Sequence, residues 1–179
     1  MKYITILFLF IGLSSIGQEA KFQTYSADLL IIASKDSKDV QWLNKDILVN
    51  MDYKTGNISI VVKSNNFINK ANHEPALESN ETMNTSYTFL GRLPIEQILN
   101  QKTNNQEYTV ELQLVNDEID FSNEVNFKMN VMRTSQRSGS YRVFTLIGTI
   151  YQDDVQIPAF KEYDNEVEIR IMFNAYWNG

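Results

Sequence analysis

Along most of this chain, apolar and polar residues alternate with a period of two, the spacing of strands with one buried and one wet face. The alternation is cleanest near the C-terminus. There Val167, Ile169, Ile171, Phe173, Ala175 and Trp177 share one side, while Glu166, Glu168, Arg170 and Asn174 share the other. Val125, Phe127, Met129 and Val131 alternate with Glu124, Asn126, Lys128 and Asn130 in the same way. Tyr108, Val110, Leu112 and Leu114 form a further apolar row, and Tyr87, Phe89, Gly91, Leu93 and Ile95 another. Val49, Met51 and Tyr53 lead into Lys54-Thr55-Gly56-Asn57, and Ile58, Ile60 and Val62 follow. That is the pattern of a hairpin, because Gly and Asn tolerate the positive φ such turns require.

Two stretches are apolar on both faces: Leu29 to Ile32 and much of Tyr141 to Tyr151. Both are expected to be strands covered on two sides. From Asn65 to Asn84 the chain is polar and irregular, with a short helical excursion expected near residues 69–83. The whole adds up to an all-β fold of about eight antiparallel strands, which must close into a barrel or stack as a sandwich to bury its apolar faces. Periodicity alone does not choose between the two.

The first residues have a different character. Lys2 is followed by an uncharged stretch, Tyr3 to Ile16, and Ser15-Ile16-Gly17 supplies the small-x-small pattern of a signal-peptidase site. Residues 1–17 therefore read as a cleaved signal peptide and 18–179 as one domain, exported to a periplasmic or extracellular destination. The apolar run is shorter than the ~20 residues of a spanning helix, so no membrane span is expected in the mature chain. No proline-rich or glycine-serine linker and no internal repeat divides what remains.

Composition narrows the function. The net charge is −6, which opposes general nucleic-acid binding and a polybasic membrane surface. With no cysteine there are neither disulfides nor thiolate metal sites. His73 is the single histidine and has polar neighbours, so it reads as a solvated loop residue rather than a triad or metal ligand. The groups Asn116-Asp117-Glu118, Asp153-Asp154 and Asp164-Asn165-Glu166 lack the spacing of a calcium loop and are assigned to turns. Nucleotide and hydrolase fingerprints are absent, and neither catalysis, a cofactor nor a metal is expected.

One region resembles a known family. Asn57-Ile58-Ser59-Ile60-Val61-Val62-Lys63 leads to Phe67, then comes the polar excursion Asn69 to Glu78, then Ser86-Tyr87-Thr88-Phe89-Leu90-Gly91. This order is similar to the YceI-like family, in which a strand, a polar excursion and a "P-x-a-x-F-x-G" strand succeed one another. The family proline is missing here, and Val110 to Asn116 lacks the family's glycine-bearing strand signature. The resemblance implies an eight-stranded lipocalin-like barrel with an elongated cavity for a polyisoprenoid or similar lipid. On that basis the expected partner is an apolar small molecule or lipid. The expected cavity lining is Tyr87, Phe89, Tyr108, Leu112, Phe127, Met129, Ile171 and Phe173. The same rows also suit a filled core, and the alternative is an exported interaction domain that binds another protein.

Overall fold

The computed structural model describes residues 21–75, 85–116, 118, 120–136, 139–155 and 163–177, so the expected signal peptide lies outside the described residues. The chain forms β1 (Lys21–Lys35), β2 (Lys38–Asp52), β3 (Asn57–Lys63), β4 (Ile68–Asn69), β5 (Ser86–Arg92), β6 (Asn105–Asn116), β7 (Phe121–Gln136), β8 (Gly139–Tyr151) and β9 (Glu166–Trp177). A short helix, α1 (Ile95–Leu99), precedes β6, and another, α2 (Gln152–Val155), follows β8.

Every pairing is antiparallel, in the order β1-β9-β8-β7-β6-β5-β3-β2, and β1 pairs with β2 to close the ring. The fold is thus a closed eight-stranded barrel, with β4 an extra strand paired to β2. Closure removes the sheet edges that a sandwich would have to protect. It also explains the length of β1 and β2, which at 15 residues each must curve round the wall. Their register shifts between Thr24 and Ala27, and again between Ala27 and Leu29, where bulges bend the ribbon.

Turn chemistry accounts for the connections. Gly56 has φ +77, its N–H donates to Asp52 O at 2.8 Å, and Asp52 Oδ1 accepts from the N–H of Lys54 at 2.7 Å. This is the expected hairpin between β2 and β3. Between β1 and β2 a tight turn uses Asp36 (φ 51) and Ser37 (φ 63), both left-handed without a glycine. At the acidic groups, Asn116 Oδ1 accepts from Glu118 N–H at 3.0 Å and Asn165 Oδ1 from Asp153 N–H at 3.1 Å, so the asparagines serve the backbone.

Three local expectations need correction. The excursion near residues 69–83 is not helical in its described part. Asn69 ends β4, Asn69 Oδ1 and Asn72 Oδ1 accept from Ala71 and Glu74 N–H, and Pro75 bridges back to Ile68. These side-chain bonds hold turns in place of a helix, and residues 76–83 lie outside the described residues.

The row Tyr87 to Ile95 is not one strand, since β5 stops at Arg92 and Ile95 opens α1. Pro94 stands at its N-cap, where it continues no ladder because it has no N–H. Leu93, Ile95 and Ile98 are buried nonetheless, so helix and strand share one apolar face. Finally, β8 is not covered on both sides, because Ile147 and Tyr151 are exposed, whereas Leu30 and Ile32 of β1 are half-buried.

Candidate functional site

The barrel interior gathers the residues expected to line a cavity. Phe89, Tyr108, Leu112, Phe127, Met129, Ile171 and Phe173 are all buried, and Tyr87 is half-buried near the strand start. The register sets them side by side. Tyr108 pairs with Met129, Met129 with Leu146, Leu146 with Ile171, and Ile171 with Leu29, forming an apolar band around half the wall. A second band runs from Val110 through Phe127, Gly148 and Ile169 to Ile31.

Aromatic rings meet across these bands. Phe89 and Phe127 are edge-to-face with centroids 5.7 Å apart, and Phe144 stacks on Phe173 at 4.8 Å with planes 3° apart. Gly148 leaves room for the Phe127 ring, because a Cβ there would lie 2.7 Å from Phe127 Cδ1. Such an interior disfavours polar groups, since one buried unpaired in it costs roughly 2–7 kcal/mol.

Polar side chains stand at the two ends of this interior. At the end where β1 and β3 begin, α1 and the segment after it lie over the barrel. Arg142 of β8 is buried and donates through Nη2 to Leu99 O at 3.5 Å. Gln101 is buried and donates to Val131 O at 3.0 Å. Tyr53 donates its hydroxyl to Tyr176 O at 2.7 Å and ties the end of β2 to the end of β9.

Burial pushes the Tyr53 phenol up to about 12 against the opposing pull of Arg142, and raises that of Tyr108 with the same opposition. The Arg142 guanidinium is lowered first by burial and then by the charge of Arg133, with Tyr53 and Tyr108 acting the other way. At the opposite end the Trp42 and Tyr163 rings meet edge-on at 4.9 Å. There too Asn44 is buried and satisfied by Lys63 O and Asp46 N–H. Burial raises the Tyr87 phenol at this end, opposed by Asn116 beside it and aided by Glu118.

Arg142, Gln101, Tyr53 and Asn116 were not anticipated. A signal existed for three of them, since Tyr53 is in phase with Val49 and Met51. Arg142 is in phase with Phe144, Leu146, Gly148 and Ile150, and Asn116 is in phase with Val110, Leu112 and Leu114. Each therefore faces inward if its row does. His73 is exposed, as its polar neighbours implied. Among the described residues no group of three or more His, Asp or Glu is placed to hold a metal ion, and no helix is long and apolar enough to cross a membrane.

No family model matches the chain, and no curated protein matches it. Solved structures do. One is a polyisoprenoid-binding domain from Saccharophagus degradans implicated in plant cell wall breakdown. It superposes with a TM-score of 0.63 at 13% identity, over 88% of this chain and 97% of that one. Another is BcnA of Burkholderia cenocepacia, with a TM-score of 0.55 at 13% identity, over 83% of this chain and 96% of that one. Likeness at this identity is a likeness of fold: the chain forms the same kind of closed antiparallel barrel as these two proteins, divergent in sequence.

Proposed function

We propose that this protein is an exported, non-catalytic barrel that binds an apolar ligand, lipid- or isoprenoid-like, in its interior. The observation that carries the reading is the closed barrel with an apolar, aromatic inner wall, in the fold of a domain known for polyisoprenoid binding. A barrel of about eight strands has an interior wide enough for packed side chains or one small ligand. Export rests on the Lys2 to Gly17 pattern. Intact-mass measurement on exported protein is expected to show a chain starting at Gln18 or Glu19, and a mass retaining Met1 would refute cleavage.

Organic extraction of the purified protein followed by mass spectrometry tests the ligand. A stoichiometric apolar compound is the expected result. If nothing is extracted and no long-chain lipid raises the melting temperature, the carrier reading fails, since a ligand that binds only the folded state must stabilise it. A second reading has its own observation: the Phe144–Phe173 and Phe89–Phe127 contacts are those of a filled core. On that reading the outer wall, which exposes Leu90, Ile147, Met172 and Tyr176, meets another protein.

A further inference from the structure

The end of the barrel beneath α1 carries a charge with no counter-charge among the described residues. Arg142 is 6% exposed, Tyr108 7% and Gln101 4%. Arg142 Nε, the Tyr108 hydroxyl and Gln101 Oε1 have no hydrogen-bond partner among the described residues. Among the described residues, the charged and titratable groups that act on Arg142 are the cation Arg133 and the phenols Tyr53 and Tyr108, with no carboxylate. Burying a guanidinium is costly, and folded proteins offset the cost with an anion or a full set of acceptors. Among the described residues one carbonyl, Leu99 O at a long 3.5 Å, accepts from a group with five N–H donors. The Tyr108 hydroxyl, a second donor, is also unsatisfied, although buried polar groups are as a rule paired, whereas Gln101 leaves only its acceptor Oε1 unpaired because its Nε2 donates to Val131 O.

From this juxtaposition we infer that the α1 end of the barrel recognises an oxyanion, carboxylate or phosphate, at the head of an otherwise apolar ligand. Arg142 and Tyr108 donate to it, and Gln101 holds the overlying segment. The inference rests on the interior being the ligand site and narrows the ligand class to acidic amphiphiles. Arg is the side chain suited to such a head, because its planar fork matches carboxylate and phosphate oxygens. The geometry of the ligand follows: its tail lies along the apolar rows further inward, the Val131–Phe144 pair two residues along β8 from Arg142 and the Tyr108–Met129–Leu146 band four residues along.

The test uses matched heads on one tail, with delipidated protein and direct calorimetric titration. Hexadecanoic acid is compared with hexadecanol, farnesyl phosphate with farnesol, and inorganic phosphate is titrated alone. The expected result is at least a tenfold preference for each acid over its alcohol, the scale of one charge-assisted bond. In Arg142→Met the preference should vanish while alcohol binding stays within about twofold.

Tyr108→Phe separates this role from a merely structural one. Removing an unsatisfied buried hydroxyl should raise the melting temperature of the ligand-free protein, yet weaken the acids and leave the alcohols alone. Equal affinity of acid and alcohol in the unmutated protein overturns the inference while the carrier reading stands, and needs no variant to fold. If neither amphiphile binds, the carrier reading falls. Phosphate binding that is lost in Arg142→Met then supports an anion site without a lipid, and no phosphate binding overturns it.

Discussion

Gly148→Ala and Phe127→Ala, made singly and together, test whether the barrel wall packs as the register requires. A Cβ added at Gly148 would lie 2.7 Å from Phe127 Cδ1, 2.8 Å from Cε1 and 3.0 Å from Asn126 O. Ordinary carbon contacts are about 3.5–4.0 Å, so the ring must move by several tenths of an ångström. It has little freedom to do so, being fully buried with its edge against Phe89. Overpacking of this kind costs about 1–3 kcal/mol. Loss of glycine's freedom in the unfolded chain returns about 0.4–1 kcal/mol. The net expectation for Gly148→Ala is a destabilisation of about 1–2 kcal/mol.

Phe127→Ala removes the ring, and in a packed core costs about 3–5 kcal/mol. In that background the ring contacts at position 148 are gone, and the entropic gain leaves Gly148→Ala neutral or slightly stabilising. The coupling is therefore about 1–3 kcal/mol, above the ~0.5 kcal/mol within which independent sites add. Urea unfolding of the four proteins, with equal slopes required, measures it. Should Gly148→Ala cost the same in both backgrounds, the two residues do not oppose each other in the wall. A cost below about 2 kcal/mol for Phe127→Ala in ligand-free protein would instead show a ring lining open space, since only the transfer part is then lost.

Other expectations follow from single features. Gly56→Ala forces a side chain onto φ +77 and puts its Cβ 2.4 Å from Leu93 O, so it should destabilise by more than about 1 kcal/mol, and an unchanged urea midpoint would contradict the turn. Glu111 and Glu124 are exposed diagonal neighbours on β6 and β7, and the bond and repulsion from Glu124 raise the Glu111 carboxyl above its usual 4.5. A raised folded value gives stability that is present at low pH and lost as pH rises through it. Glu111→Gln should therefore melt higher than the parent at pH 7, with the gap closing below about pH 4.5; a gap constant with pH would remove the repulsion from the account. Tyr53, pushed up to about 12, favours the folded state below the ordinary phenol value of 10.0, and that contribution fades as pH climbs from there towards 12. Absorbance titration should show an ionisation near that upper value that disappears in Tyr53→Phe.

How much of this was legible beforehand can be read residue by residue. Alternation placed Phe89, Leu112, Phe127, Met129, Ile171 and Phe173 in inward rows, and all are buried. Strand side chains switch faces at every residue, so the pattern is written locally and survives without knowledge of partners. Gly56 likewise announced its turn through its own backbone freedom. The Asp36–Ser37 turn gave no such notice, since two non-glycine residues hold left-handed φ there, supported by the long β1–β2 pairing that they join.

Other features belong to contacts between distant parts of the chain. Barrel closure is the pairing of β1 with both β2 and β9, and no local period encodes which strands meet. α1 interrupts an apolar row because Leu93 N–H finds Gly56 O at 2.8 Å, some 37 residues away in sequence (93 − 56), and Pro94 cannot continue the ladder. Arg142 illustrates the division most clearly. Its phase with Phe144 already pointed its side chain inward, but a cation in an apolar row carries no meaning until its neighbours are known. Folding decided them: among the described residues, two phenols, a second cation and no carboxylate. Burial of a charge is a property of the assembled environment, so only the tertiary structure could turn an in-phase arginine into a candidate anion site.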